Sequence, residues 1–571
     1  MYKNANEKYL KWLSFDLEDS DLKVELESIK DNENEIYERF YTDLQFGTAG
    51  LRGVIGAGIN RMNIYTVRRA TQGIAIKLIE TYSNPTVAVS YDSRIKSDLF
   101  ARETARVFAA NGIKVYLYPT LMPTPCLSFA VRELNCKAGV MVTASHNPAK
   151  YNGYKAYGED GCQMNTEMCE DILKIITSLD IFSDVKIADF DECLENGMIE
   201  YISESVNEKF LNCVLNESIN PDVVKDANLH VVYTPLNGTG NIPVRKILER
   251  IGVGRVDLVK EQTEPDGNFT TCPYPNPEIK EALKLGLEKA KEVKADLLLA
   301  TDPDADRVGI AVRNGDDYEL LTGNETGALL LEYIAKSRTE LGTMPKNPVT
   351  VKTIVTTELI KAIAKDYNVE VIDILTGFKY IGEQIGLLEA KGETDRYILG
   401  FEESYGYLTG SYVRDKDAVN ASMLICEMAA YYKTKGITLY DALNALYKKY
   451  GRYLNCQDNI GFEGAEGMQK MREIMASLRE NSPSEIANLK VIAISDYLKG
   501  VSKNTLTGKE TLITLPKSDV IAFDLEESAQ VIVRPSGTEP KIKVYYTAKG
   551  EDVACAKALV EKMSADIKSK F

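Results

Sequence analysis

Gly139-Val-Met-Val142 followed by Ala144-Ser-His-Asn-Pro148 is an apolar run that breaks into a polar loop. The run reads as a buried strand. A loop at the carboxyl end of such a strand is the usual seat of catalytic groups in an open α/β sheet. Pro148 bars a simple helical continuation and biases Asn147 toward extended backbone. The Ser145 hydroxyl is therefore expected at the bend of a stiff loop. A lone loop serine usually just caps or solvates. Three distant segments give this one weight: Thr301-Asp-Pro-Asp-Ala-Asp-Arg307, Gly400-Phe-Glu-Glu-Ser-Tyr-Gly406 and Arg534-Pro-Ser-Gly-Thr-Glu-Pro-Lys541. Together the four offer a hydroxyl nucleophile, a carboxylate cage for a hard cation, polar groups for hydroxyls, and a phosphate clamp.

Alternating elements extend outward from the serine loop. Thr86–Tyr91 predicts a buried strand, Asp98–Ala110 a helix and Ile113–Tyr118 the next strand, a βαβ rhythm that implies a largely parallel sheet. The rhythm recurs in His230–Tyr233, which leads through Leu236-Asn-Gly-Thr-Gly240 into a helix from Ile242 to Arg250. Asp296–Ala300 is a strand that delivers the Asp302 loop. Pro348–Lys352 and Val369–Asp373 are strands flanking a helix near Thr357–Lys365. Three units of similar size suggest a repeat at domain scale. Beyond Tyr450 the pattern changes: helices over Ala465–Arg479 and Glu551–Lys568 bracket strands Gln530–Val533 and Lys541–Tyr546, an α+β layout. From Glu7 to Tyr41, apolar positions such as Tyr9, Trp12, Leu22 and Leu26 predict amphipathic helices that wrap the first domain. The expected domains are 1–207, 208–322, 323–450 and 451–571.

A chain of 571 residues is too long for a single core. Acidic residues outnumber basic ones 84 to 68, for a net charge of −16. That argues against nucleic acid or a membrane surface as partner, since both need a positive face. An anionic small substrate requires a locally positive site. The ten cysteines are scattered without C-x-x-C spacing, and the two histidines are His146 and His230. Zinc bound by imidazole or thiolate is not expected. The polar start carries no signal-peptide pattern and no stretch reads as membrane-spanning, so reduced thiols and a cytoplasmic location are expected.

Alternate carboxylates in Asp302-Pro-Asp-Ala-Asp306 converge on one point and suit Mg²⁺. An EF-hand is rejected, because Arg307 stands where its glycine is needed and Arg313 where its glutamate is needed. A haloacid-dehalogenase-type phosphatase remains open, with Asp302 as nucleophile and Asp304 as acid; so does a plain acidic turn. Arg307 places a fixed cation beside the carboxylates. Arg534 offers bidentate phosphate recognition. Ser536 and Thr538 add hydroxyls, and Gly537 lets backbone N–H groups approach an anion; a Pro/Gly turn is the plainer alternative. Glu402 and Ser404 on their strand end can bind vicinal sugar hydroxyls. Arg52 on a glycine-flanked loop, Lys155, Thr376-Gly-Phe-Lys379 and Lys416 also follow strand ends, although each cation read singly is an ordinary surface charge. His146 is expected to anchor the loop more than to act as a base, because adjacent residues on an extended chain point apart.

These segments, in this order, resemble the α-D-phosphohexomutase superfamily, from about Leu44 to about Tyr546. Within it, Gly377-Phe-Lys-Tyr-Ile-Gly382 and Phe401-Glu-Glu-Ser-Tyr-Gly-Tyr-Leu408 are similar to the bacterial phosphoglucomutase group that includes phosphopentomutases. The resemblance implies four domains around a central cleft, three of mixed α/β sheet and a C-terminal α+β domain. It implies an intramolecular phosphotransferase that interconverts α-D-glucose 1-phosphate and glucose 6-phosphate through a glucose 1,6-bisphosphate intermediate that also serves as activator. Mannose or pentose phosphates are the alternative substrates. Ser145 is the implied phosphoserine; Asp302, Asp304 and Asp306 with one phosphoserine oxygen hold Mg²⁺. Glu402 and Ser404 contact the sugar, and Thr376, Gly377, Phe378 and Lys379 orient it. Arg534, Ser536, Gly537 and Thr538 grip the non-reacting phosphate; Arg52, Lys155, Arg307 and Lys416 line the transferring one. Pro303 replaces a frequent glycine but leaves all three carboxylates in place, while Phe401 replaces a small residue and bears on sugar selectivity. A monomer or homodimer is expected.

Overall fold

The computed structural model describes residues 2–47, 50–462, 464–536 and 541–571, with backbone alone at Tyr2 and 464–466. The chain divides into two compact units, Met1–Gly323 with Ile381–Thr438, and Asn324–Tyr380 with Leu439–Phe571.

In the first unit, a six-stranded sheet runs in the order Leu51–Val54, Tyr151–Gly158, Ala138–Val142, Thr86–Tyr91, Lys114–Leu117, Ile199–Tyr201. The last four are mutually parallel, whereas Tyr151–Gly158 is antiparallel to both its neighbours. Every residue of Ala138–Val142 is buried, as expected of a central strand covered on both faces. A second sheet is built on the same plan: Arg255–Leu258, His230–Thr234 and Leu297–Thr301 are parallel, and Val308–Asn314 turns back antiparallel onto Leu297–Thr301, followed by Asp317–Leu321. A third hairpin pairs Tyr397–Glu402 with Gly406–Leu408. Ser145, Asp302–Asp306 and Glu403–Tyr405 thus occupy one topological position three times over: the connection that follows a buried strand and reverses the chain. The domain-scale repeat is real, and the sheets are more mixed than the βαβ rhythm alone implied, because each loop opens an antiparallel hairpin.

Three N-terminal helices, Tyr2–Ser14, Ser20–Ser28 and Glu33–Phe40, bury Tyr9, Trp12, Leu22, Leu26, Ile36 and Phe40 in the core of the first sheet. They wrap the first domain as expected. Trp12 packs edge-on against Phe40, Tyr65 and Phe182.

The second unit pairs Val349–Thr353 with Glu370–Ile374 in parallel, beside helix Leu359–Asp366. It also holds an antiparallel sheet ordered Arg452–Gly461, Lys541–Gly550, Gln530–Pro535, Ile521–Leu525, Leu489–Asp496, Val501–Asn504, Glu510–Leu512. Helices Gly464–Glu480 and Val553–Lys568 accompany it. Strands Gln530–Pro535 and Lys541–Gly550 outrun their apolar cores, because the ladder continues to Pro535 opposite Ile542 at one end and Arg452 opposite Gly550 at the other.

One close approach sets the Asp302 loop. The Thr239 amide and hydroxyl both donate to the Pro303 carbonyl, at 2.8 and 3.0 Å. A Cβ on neighbouring Gly238 would lie 2.4 Å from Pro303 Cα. Since both atoms are backbone-anchored, Gly238→Ala must displace the loop, at a cost of about 1–3 kcal/mol. Thermal melts should show a Tm lowered by several degrees, and divalent-cation titration should show weakened binding; an unshifted Tm would mean that the loop yields freely.

Candidate active site

Ser145 is 3% exposed and lies in the left-handed region, at φ 52°. A non-glycine residue adopts this conformation only when its surroundings impose it. The Ser145 amide donates to Thr143 Oγ1 at 2.8 Å, and the Thr143 hydroxyl donates to Asp92 Oδ2 at 2.6 Å. Arg94 closes the loop from beneath. Its Nη1 donates to the Pro148 and Tyr151 carbonyls, each at 3.1 Å, and its Nη2 to those of Ser145 and Asn147. The guanidinium also lies 5.0 Å from the Phe269 ring centroid. The resulting bend aims the Ser145 hydroxyl at Asp302 Oδ2, to which it donates at 2.8 Å.

Asp302, Asp304 and Asp306 are 0, 0 and 1% exposed, with one oxygen from each within 4.8 Å of the others. Burial, followed by the charges of Asp304 and Asp306, pushes Asp302 well above the usual carboxylate range. Its Oδ1 accepts the amides of Asp306 and Arg307. Asp304 Oδ2 accepts the Thr124 hydroxyl at 2.8 Å and Lys155 Nζ at 2.7 Å. Asp304 Oδ1 and Asp306 Oδ1 are buried without a hydrogen-bond partner. Hard oxygens packed together, two of them orphaned, suit a divalent cation with an oxygen-ligand preference.

Lys155 reaches Asp304 at 2.7 Å and Asp306 at 3.2 Å. Lys416 reaches Asp306 at 3.1 Å and Asp415 at 3.0 Å. Burial alone would depress both ammonium groups, but the carboxylates outweigh it and hold both pKa values above the usual lysine range. Neither is poised to act as a general base. Arg307 pairs with Glu278 at 3.1 Å and lies 3.6 Å from Asp306. Arg52 stands exposed on Leu51–Val54, opposite Gly153 in the strand that carries Lys155. His146 departs from expectation. The left-handed turn at Ser145 abolishes the extended geometry, so Nδ1 lies 3.3 Å from Ser145 Oγ. Burial, then the Arg307 and Arg52 charges, lowers the imidazole well below its usual range and leaves it neutral.

Glu402 ends its strand 7% exposed, and burial raises its pKa to about 7 against the pull of Lys416. Ser404 is half-buried in the turn that follows. Phe401 points into the core, stacked 6.1 Å from Tyr407, because alternate strand residues face opposite ways.

The second unit gathers the other candidates. Gly377, at φ 123°, turns the chain between strand Glu370–Ile374 and helix Lys379–Ala390. Thr376 is half-buried and Phe378 is buried. Lys379 Nζ lies 5.2 Å from the Tyr380 ring centroid. Leu375 shares an apolar cluster with Ile532, two residues before Arg534. Arg534 and Ser536 border a hollow of about 300 Å³ together with Arg472 and Ser518. Gly537 and Thr538 lie outside the described residues.

Four participants were not read from the sequence: Asp92, Arg94, Thr124 and Asp415. Tyr91-Asp-Ser-Arg94 follows a buried strand just as the serine loop does, and that position is the signal that could have singled out Asp92 and Arg94. Nothing local marks Thr124, whose amide and hydroxyl bind Asp304 from 180 residues away.

Comparison with known proteins agrees with this geometry. Residues 43–181, 208–315 and 322–450 match the phosphoglucomutase/phosphomannomutase α/β/α domains I, II and III, and residues 486–564 match the C-terminal domain. A phosphoglucomutase of Staphylococcus haemolyticus is 40% identical over 89% of this chain and 90% of its own. One from Staphylococcus aureus strain MRSA252 is 39% identical over 90% and 91%. Among solved structures, the phosphoglucomutase pp63/parafusin of Paramecium has a TM-score of 0.69 at 17% identity, covering 93% of this chain and 95% of its own. A phosphoglucomutase/phosphomannomutase family protein of Burkholderia thailandensis scores 0.67 at 17% identity, covering 92% and 97%; at such identities the likeness is one of fold. The chain belongs to the phosphoglucomutase/phosphomannomutase family, with its three mixed α/β domains and C-terminal domain. It is accordingly an enzyme of the mutase class of isomerases.

Two measurements check the site. Arg94→Lys keeps the charge but loses the fork that spans four carbonyls. Turnover should fall by about tenfold or more, since small misplacements of reacting groups are costly; unchanged turnover would show that the loop holds itself. Glu402 titrates near 7 folded against a reference of 4.5. Its stabilising contribution is therefore complete below about pH 4.5 and lost as pH rises through about 7. In chelator-treated protein, the Tm of Glu402→Gln relative to the parent should climb between about pH 5 and pH 8, and a flat difference would refute the shift.

Proposed function

We propose that this chain interconverts α-D-glucose 1-phosphate and glucose 6-phosphate, with Ser145 carrying the phosphoryl group and glucose 1,6-bisphosphate as intermediate and activator. The observation that carries the reading is the Ser145 hydroxyl, held 2.8 Å from Asp302 at the edge of the carboxylate triad. Relatives about 40% identical over most of the chain, named phosphoglucomutases, favour glucose.

Asp302, Asp304 and Asp306 would hold Mg²⁺, which would supply positive charge to the oxygens of the group in transit. In the forward step, the bond between phosphorus and Ser145 Oγ breaks as one forms to the free sugar oxygen, and the proton that the sugar hydroxyl loses replaces the phosphoryl group on Ser145 Oγ. In the return step, Ser145 Oγ attacks the other phosphate, the bond from that phosphorus to the sugar oxygen breaks, and the sugar leaves with a free hydroxyl that takes up the proton Ser145 gives up. Asp302 Oδ2 and neutral His146 Nδ1 flank the Ser145 hydroxyl and are the acceptors in reach of that proton. Lys155, Lys416, Arg307 and Arg52 act as fixed cations, so stabilisation comes from preorganised charge. Glu402 and Ser404, with Thr376, Gly377, Phe378 and Lys379, would orient the sugar ring. Arg534 and Ser536, with Gly537 and Thr538, would hold the phosphate that is not reacting.

The geometry disfavours an aspartate-nucleophile phosphatase. Asp302 Oδ1 is occupied by two backbone amides and Oδ2 by the Ser145 hydroxyl. Among the described residues no helix is long and apolar enough to cross a membrane. Among the described residues none of the ten cysteines forms a disulfide, which suits a reducing, cytoplasmic compartment.

Purified protein should convert glucose 1-phosphate in the presence of Mg²⁺ and catalytic bisphosphate, faster than mannose, ribose or deoxyribose 1-phosphate. Ser145→Ala should lower turnover by roughly 10³-fold or more. Radiolabelled bisphosphate should label the parent polypeptide and not the variant. Retention of turnover by Ser145→Ala would overturn the assignment.

A further inference from the structure

Arg414-Asp-Lys-Asp417 leads into helix Ala418–Thr434, and its charged residues do different work. Asp417 caps the helix, accepting the Val419 and Asn420 amides at 2.8 and 3.0 Å. Asp415 is 1% exposed and turns the other way. Its Oδ1 accepts the Lys416 amide at 2.8 Å and Lys416 Nζ at 3.0 Å. Its Oδ2 accepts the Tyr157 hydroxyl at 2.7 Å and Gln163 Nε2 at 3.1 Å. We propose that Asp415 is a positioning residue that aims the Lys416 ammonium at the phosphoryl group in transit, acting through Lys416 without touching substrate.

The physical need is clear from the side chain. Lysine carries its charge on a flexible four-carbon stem, and ordering it costs about 2 kcal/mol of rotamer entropy. Two constraints remove that freedom before substrate arrives. A Cβ on Gly406 would sit 2.1 Å from Lys416 Cδ and 2.6 Å from Cγ, so the stem runs through space that only glycine leaves. The ammonium is then held from two sides, by Asp306 at 3.1 Å and Asp415 at 3.0 Å. Asp306 belongs to the triad and would answer to a bound cation. Asp415 lies outside the triad, so it would keep Lys416 in place with a cation bound there.

Asp415 is itself well fixed. Tyr157 is buried in strand Tyr151–Gly158, the strand that carries Lys155. One strand therefore places one site lysine directly and the other through the Tyr157 hydroxyl and Asp415. Charges alternate along the row Asp304, Lys155, Asp306, Lys416, Asp415, and each member is held by its neighbours. Asp415 ends the row and is anchored by neutral donors. Truncating it would remove one of the carboxylates that hold the Lys416 ammonium.

This inference rests on the mutase reading, and a double-mutant cycle in the Mg²⁺-loaded enzyme separates the two. Turnover of glucose 1-phosphate with catalytic bisphosphate is measured for the parent, Asp415→Asn, Lys416→Met and the double variant. Asp415→Asn should lower kcat by about 10- to 100-fold while KM stays within about twofold. The double variant should be no slower than Lys416→Met alone, because the first change acts through the second residue. A merely structural role would instead give effects that multiply in the double variant, and that outcome, or a parental kcat in Asp415→Asn, overturns the proposal. Should Asp415→Asn fold poorly, Tyr157→Phe removes one anchor of Asp415 and should show a smaller kcat loss with the same dependence on Lys416. An inactive parent enzyme would sink the functional reading itself; an active parent with multiplying effects sinks this inference alone.

Discussion

Three carboxylates packed within 4.8 Å of one another, in a site shut off from water, set the terms for the first unit. At such separations, like charges repel by several kcal/mol even with generous screening, and burial adds to the cost of ionising each. The fold answers with cations and hydrogen-bond donors that arrive from separate elements. Lys155 comes from the strand after the serine loop, Lys416 from the segment before helix Ala418–Thr434, and Thr124 from the start of helix Thr124–Glu133. The Asp302 loop cannot keep its geometry without them. Nor can Lys155 and Lys416 lie buried without the carboxylates. This mutual dependence ties the serine loop, the Asp302 loop and the Glu402 hairpin into one electrostatic object.

The repeated hairpin explains how three separate sheet elements deliver to that object. In each, a fully buried strand ends and the chain reverses, so the functional side chains stand on connections rooted in rigid backbone. The hidden layer beneath is equally specific. Arg94 donates to four backbone carbonyls in and just after the serine loop, Ser145, Asn147, Pro148 and Tyr151, and so ties the bend together from one side chain. A left-handed serine is affordable only in that setting.

Much of this was legible in the sequence because it is local. Strand ends, turn residues and alternate aspartates announce themselves within a few positions, and three of the four motifs proved to be loops that open after buried strands. What was not legible is relational. His146 was read on an extended chain, and a single left-handed residue before it brought its ring to the serine. Read singly, the lysines were ordinary surface cations, whereas each is buried against at least two carboxylates. Thr124 and Asp415 have no signature at all, for their roles exist only once distant segments meet. Glu402 was placed at its strand end from the sequence, but its burial was not legible; it is buried because the strand continues to its own position.

Under the proposed function, the second unit would follow a complementary logic. A phosphate in transit needs charge that is dense, buried and fixed, whereas one that is merely held needs a clamp that can grip and release. Arg534 and Ser536 border an open hollow of about 300 Å³, unlike the closed surroundings of the triad. Leu375 and Ile532 pack in one cluster, so the Thr376–Lys379 turn and the Arg534 strand belong to a single body. Buried Lys352, held between Glu358 at 2.9 Å and Asp373 at 2.8 Å, stiffens the strands beneath that turn. Under the proposed function, that turn would orient the sugar and that strand end would hold its far phosphate, and a shared body would keep the spacing that a ligand recognised in two orientations requires.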